Sequence, residues 1–202
     1  FIENYKPKNT VVITYKEGKA SYTGNPSGVN VIVSGNHVKV TSAKSDVAYT
    51  LKGTTTNGSF KLYSDKKAQV TLDGVSITNP TGSGINIQSG KTMMIKLTDG
   101  TTNNLEDGTE YTLTEGEQQK GTFFSEGQLV FSGEGALNVK SNYGHGVVSD
   151  DYVRVRGGNI SVNSVRDGIN TNDRFIMSGG TVTVDAQQDG AAPTGEECAY
   201  QY

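Results

Sequence analysis

The sequence predicts an all-β chain wound as a right-handed parallel β-helix, with coils of about 22–25 residues. Three observations predict it. Alternating apolar and polar strings recur (VVITY, VNVIV, VKVTS, QVTLDGVSI, NISVN, TVTVD), which is the period-two pattern of half-buried strands. Glycine makes up 26 of the 202 residues, and with Asn and Asp it stands between those strings, where turns need positive φ. The chain also repeats itself at a nearly fixed spacing.

In chain order, VVITYKEGKASYTG (11–24) and VNVIVSGNHVKVTS (29–42) read as strands that start or cap a solenoid. LKGTTTNGSFKLYSDKKAQVTLDG then enters the coils. KKAQVTLDGVSI (66–77) and KTMMIKLTDGTT (91–102) share one shape at an offset of 25. The stretch from Thr98 to Gly121 is too polar for a full coil and reads as a coil edge followed by a loop extending from one side. SEGQLVFSG (125–133) aligns with SDDYVRVRG (149–157) at an offset of 24. Gly146, Gly168 and Gly190 are then spaced by 22, which sets Val147 over Ile169, Val153 over Phe175, Val155 over Met177, and Gly157-Gly158 over Gly179-Gly180. One coil cannot bury its inner face alone, so neighbours must stack to complete it. A leucine-rich repeat would need a Leu-x-x-Leu-x-Leu ladder, a propeller blade about twice the length, and a β-sandwich would show no fixed period. The organisation so read is N-terminal strands over 1–44, a β-helix over 45–190 and a tail over 191–202, in one domain.

Composition sets bounds on function. A net charge of −3 gives no whole-chain basic field, so no nucleic-acid partner is expected. No run of 18 apolar residues exists, which excludes an ordinary transmembrane helix. The opening FIENYKPK lacks the apolar stretch of a signal peptide. Cys198 is the single cysteine, so a disulfide is available only between chains.

In stacked coils, equivalent residues lie about 4.8 Å apart. The offset of 22 sets Asp151 on Asp173, Asp150 on Asn172 and Asp167 on Asp189, with His145 heading the last column. Two such charges repel by about 1 kcal/mol in water and about 3 kcal/mol at an effective dielectric of 20. Neighbouring arginines or a bound cation must offset that. Asp150, Asp151, Asp167, Asn170, Asn172, Asp173 and Asp189 form a dense set of oxygen ligands at turns, which points to calcium. The plainer reading is that Asp and Asn cap their own turns. The chain's four arginines, Arg154, Arg156, Arg166 and Arg174, all fall beside this set. Arg154 and Arg156 alternate with Val153 and Val155, so both should face outward from one strand. They either neutralise the aspartates or hold the carboxylates of a uronate polymer. With no Trp, aromatic platforms for sugar rings must be tyrosines, and Tyr49, Tyr63, Tyr111, Tyr143 and Tyr152 are spread over the coils. The carbohydrate-binding candidates are Arg154, Arg156, Arg174, Tyr152 and Tyr143.

The longer phrases carry a family resemblance. GSFKLYSDKKAQVTLDGVSITNPTGSGINIQSGK, TDGTTNNLEDGTEY, KGTFFSEGQLVFSGEGALNV, HGVVSDDYVRVRGGNISV and RDGINTNDRFIMSGGTVTV resemble a bacterial family of carbohydrate-binding β-helix proteins. That family is secreted or surface-attached, similar in fold to calcium-dependent pectate lyases, and associated with cellulose and acidic plant polysaccharides. The resemblance runs from about residue 45 to 190. It implies an extracellular or cell-surface protein that binds polysaccharide without cleaving it. The tail AAPTGEECAYQY departs from it, since another strand-bearing coil would be expected after Gly190. Two other readings stay open. A metal and a basic side chain are the ingredients of calcium-dependent β-elimination, so a lyase is possible chemistry. Solenoid ends expose unpaired strand edges, so the chain would also serve as a self-assembling extracellular fibre subunit.

Overall fold

The computed structural model describes residues 5–193. The N-terminal section is two hairpins, β1 (Asn9–Tyr15) with β2 (Ser21–Thr23), and β3 (Val29–Ser34) with β4 (Asn36–Ser42), both antiparallel. Each hairpin lays one strand in parallel on the next winding. β1 pairs with β5 (Val47–Thr55) and β4 with β6 (Gly58–Ser64). The long β7 (Ala68–Asn79) follows.

Regular three-strand windings come next: β8 (Ile85–Gln88), β9 (Met93–Leu97) and β10 (Thr102–Asp107); then β11 (Gly121–Ser125), β12 (Leu129–Gly133) and β13 (Ala136–Ser141). β14 (His145–Ser149), β15 (Val153–Val155) and β16 (Asn159–Ser164) make another winding, and β17 (Ile169–Thr171), β18 (Phe175–Met177) and β19 (Thr181–Ala186) the next, with β20 (Ala191–Pro193) opening one more. The result is a β-solenoid of about seven turns with no helix among the described residues.

The windings stack into three faces. The first carries β3, β4, β6, β8, β11, β14, β17 and β20; the second, β9, β12, β15 and β18; the third, β10, β13, β16 and β19. β7 spans the second and third faces, because its first half pairs with β9 and its second half with β10. The expected offsets appear as pairings: Ala68 with Met93, Leu129 with Val153, and Val153 with Phe175. Where the polar stretch was expected to leave the coil, residues 108–120 run between β10 and β11 without strand.

The core follows from the alternation. Every second strand residue points inward, so Ile85, Phe123, Val147 and Ile169 form one column and Met93, Leu129, Val153 and Phe175 another, all buried. Phe123 and Phe131 meet edge to face at 5.7 Å and 66°. Each such side chain contributes about 1.5–3 kcal/mol on leaving water. The stacked glycines mark the corner between the second and third faces. A Cβ on Gly179 would lie 2.3 Å from the Arg156 carbonyl oxygen, and Gly180 turns at φ +74°. Only glycine lets one winding approach the next so closely there. The tail from residue 194, including Cys198, and with it the expectation of a bare end, lies outside the described residues.

Candidate functional site

The register builds columns at each corner. At the first-to-second corner the neighbouring columns are Glu126, Asp150 and Asn172; Gly127, Asp151 and Asp173; and Gln128, Tyr152 and Arg174. Backbone bonds lock them: Asp150 N to Ser125 O at 3.0 Å, Asp173 N to Asp151 O at 3.0 Å, and Val153 N to Arg174 O at 3.0 Å. At the third-to-first corner His145, Asp167 and Asp189 stack, with Gly146 N donating to Asp167 O at 3.0 Å and Gly168 N to Asp189 O at 2.9 Å. The stacking of acidic turns read from the spacing is present.

Protein side chains partner those turns. Lys120 Nζ lies 2.6 Å from Asp150 Oδ1, and Arg174 Nε lies 3.1 Å from Asp173 Oδ2. Gln128 Nε2 donates to Asp151 Oδ2 at 3.0 Å. Asp167, buried at its corner, accepts from Asn170 Nδ2 at 2.9 Å and from the Asp189 backbone N at 3.2 Å. Asn172 N donates to Ser149 O at 3.1 Å. The seven candidate calcium ligands thus divide between two corners, with Asp150, Asp151, Asn172 and Asp173 at one and Asp167, Asn170 and Asp189 at the other. Among the described residues no three His, Cys, Asp or Glu side chains form a metal-holding group. A spacing of 22 stacks residues within a column, and the two sets of columns lie at different corners.

The remaining shifts follow burial and charge. Burial, with Asp150 and Glu117 nearby, pushes the Glu126 carboxyl up. Burial pushes the His145 imidazole down despite Asp167 beside it. Its Nδ1 also accepts the Asp167 backbone N–H at 3.2 Å, a bond that the protonated ring would lose. Burial, then Asp151, pushes the Tyr152 phenol up.

On the second face, Gln128, Asp151, Tyr152, Arg154, Asp173, Arg174 and Ile176 line an open cleft of about 320 Å³. Three of the five carbohydrate-binding candidates, Tyr152, Arg154 and Arg174, therefore converge. Arg154 points outward between buried Val153 and Val155, and its Nε donates to Ser178 Oγ at 3.3 Å. Arg156, just past the end of that strand, lines an adjoining depression of about 290 Å³ with Lys6, Lys96, Met94 and Val130. Tyr143 is elsewhere, at the third-to-first corner, 39% exposed and stacked on Tyr111 at 3.9 Å and 14°. Of the other tyrosines, Tyr49 is a core residue and Tyr63 donates to Glu117.

Sequence reasoning missed three contributors to these corners. Gln128 was legible as the residue one coil before Tyr152. Lys120 gave no signal, because it lies at the end of an irregular loop. Asp107, 2% exposed, accepts from Tyr111 Oη at 2.6 Å, Thr122 Oγ1 at 2.9 Å, Ser141 Oγ at 3.0 Å and Asn142 N at 2.5 Å, and so ties loop, strand and corner together.

The third face carries a second concavity of about 450 Å³. Its outward columns are Ser76, Asn104, Asn138, Ser161 and Thr183, and beside them Thr78, Glu106, Lys140, Asn163 and Asp185.

Comparison with known proteins gives the following. The family model described as "Carbohydrate-binding domain-containing protein" matches residues 34–200. A carbohydrate-binding domain-containing protein of Acetivibrio thermocellus is 32% identical over 134 residues, which is 64% of this chain and 46% of that protein. The chain thus spans about half the length of this curated relative. A solved structure titled as the polysaccharide lyase-like protein from C. thermocellum, gadolinium derivative, superposes with a TM-score of 0.78 at 27% identity, covering 90% of this chain and 74% of that one.

Proposed function

The chain belongs to the family of carbohydrate-binding domain-containing proteins, and from that premise we propose that its second face holds an acidic polysaccharide, outside the cell, without cleaving it. The observation that carries this reading is the cleft bringing Tyr152, Arg154 and Arg174 together, with Arg156, Lys6 and Lys96 in the adjoining depression. Guanidinium groups pair with carboxylates through two parallel N–H···O bonds, and Tyr152 offers a ring edge to the sugar. Lys6, Lys96, Arg154, Arg156 and Arg174 outnumber Asp151 and Asp173 in these linings, so the face is cationic while the chain as a whole carries −3. Such a polymer is met at or beyond a cell surface, which is why we place the protein there.

Calcium belongs to this proposal as a bridge rather than as a resident ion. Asp151 and Asp173 alone supply too few of the six to eight oxygens that calcium takes, and the uronate would supply more. When bound, the ion would screen polymer and protein carboxylates from each other. The relative titled as polysaccharide lyase-like keeps cleavage as a second reading. It requires a base at the reacting carbon, and Arg154 and Arg174 are the available basic groups of the cleft.

Affinity electrophoresis in polygalacturonate tests the proposal. The protein should be retarded, more strongly with calcium than with a chelator. Replacing Arg154 and Arg174 together with Ala should weaken binding about 30-fold, taking about 1 kcal/mol for each exposed charge pair. Equal mobility of wild type and double variant would refute it. Release of unsaturated product, read by ultraviolet absorbance, would convert binder to lyase.

A further inference from the structure

We propose that the outer edge of β3 is a self-association surface, where two copies of this chain join antiparallel, edge to edge, about a two-fold axis through Ile32. The proposal is independent of the carbohydrate-binding reading, and β3 ends at the residue where the family match, 34–200, begins.

The backbone defines the edge. β3 closes the first face, and no strand among the described residues pairs with its outer side. Gly35, at φ +57°, and Asn36 make the tight turn into β4, which sets Ser34 against His37 and Ile32 against Lys39. Ala43 N donates to Gly28 O at 3.0 Å and continues the same ladder. Bonded and non-bonded pairs alternate along antiparallel strands, so Asn30, Ile32 and Ser34 spend their N–H and C=O groups on β4. Val31 and Val33 turn theirs to the open side. The Val29 N–H, which shares that direction, is already taken by Pro26 O at 3.1 Å.

The other edges of the solenoid are guarded, and this one is not. Exposed edges are ordinarily kept short or broken by charge or proline. β2 and β18 have three residues each, β20 carries Pro193, and β19 carries Asp185. β1 is paired on both sides, by β2 and β5, and offers no edge. β3, VNVIVS, runs six residues without charge, Gly or Pro. Its outward Ile32 is 48% exposed, and its inward Val31 and Val33 pack on the core yet stay only partly buried at this end.

A second copy is the occupant that fits. Antiparallel pairing centred on Ile32 sets Val31 opposite the partner subunit's Val33, so N–H and C=O groups are exchanged in both directions and inward side chains stay inward. Ile32 meets the partner subunit's Ile32, and apolar surface leaves water on both. The strand is uncharged, so identical residues face each other without repulsion. The charge beside Ile32, Lys39, sits one strand back on β4. The two copies of it are thus about 14 Å apart, beyond the Debye length of about 8 Å at physiological salt. A two-fold contact consumes the edge and closes at two copies.

Sedimentation velocity on the whole chain tests the proposal, in reductant so that Cys198 forms no disulfide between copies. Wild type should pass from monomer to dimer between about 1 and 100 µM, as a small interface implies. Ile32→Lys and Ile32→Glu alter an exposed side chain, so both should fold as wild type does. Each should weaken dimerisation at least about tenfold, because like charges then stand opposite each other. Mixing the two variants should restore the dimer, since Lys then faces Glu, a rescue that loss of apolar surface alone would not give. Monomer throughout the range, wild-type dimerisation by Ile32→Lys, or no rescue on mixing overturns the proposal. A dimer seen only without reductant also overturns it and assigns the link to Cys198. Growth beyond two copies overturns the closed pairing in favour of open-ended stacking.

Discussion

Replacing Asp107 with Ala should detach one corner of the solenoid. The carboxylate is 2% exposed and receives four donors: the Tyr111, Thr122 and Ser141 hydroxyls and the Asn142 backbone N–H. A hydrogen bond to a charged group is worth about 1.5–3 kcal/mol, but the losses do not simply add. Thr122 Oγ1 keeps the Lys140 carbonyl at 3.2 Å, and the Tyr111 and Ser141 hydroxyls can rotate. The Asn142 N–H cannot, and it is left part-buried without its acceptor. The expected net loss is about 3–5 kcal/mol. For a domain of this size 1 kcal/mol shifts the melting temperature by about 2–4 °C, so thermal unfolding should fall by about 6–20 °C. Asp107→Asn keeps an oxygen for Asn142 N and turns an amide toward rotatable hydroxyls, so it should cost less, about 1–2 kcal/mol. Circular dichroism reads both effects. The chain has no Trp and 10 Tyr, so the near-ultraviolet signal reports tyrosines and should weaken as Tyr111 leaves Tyr143. An Asp107→Ala variant melting within about 2 °C of wild type would show that the hub does not hold this corner.

Three further outcomes are expected. Burial favours neutral His145 in the folded state, so below its ordinary pKa of about 6.5 the unfolded chain binds more protons and stability falls as pH drops from there toward the lowered folded value. His145→Gln should flatten denaturant midpoints across that window, and an unchanged slope would refute the assignment. Lys120, Gln128 and Arg174 already partner Asp150, Asp151 and Asp173, so a chelator should leave the melting temperature of the polysaccharide-free protein unchanged. A drop on chelation would restore a resident ion. Gly179→Ala should cost about 1–3 kcal/mol in chemical denaturation, because its Cβ would sit 2.3 Å from the Arg156 carbonyl oxygen of the preceding winding. A neutral substitution would mean that this corner can open without penalty.

The coil period, the inward columns and the stacked acidic turns were legible in the sequence. A solenoid is nearly one-dimensional, so each residue's neighbour above is fixed by counting, as Val147 with Ile169 and Val153 with Phe175 show. Alternation likewise told which arginines face outward. Only the tertiary structure decided who partners whom across columns. The loop over 108–120 lengthens one winding, so that Leu129 pairs with Met93 at a separation of 36 rather than about 24, and it delivers Lys120 to Asp150. It also brings Tyr111 onto the ring of Tyr143, at a corner away from the arginine cleft. Periodicity encodes stacking because stacking involves one residue and its equivalent. Charge compensation and ring contacts depend on the irregular segments, whose paths no repeat length specifies.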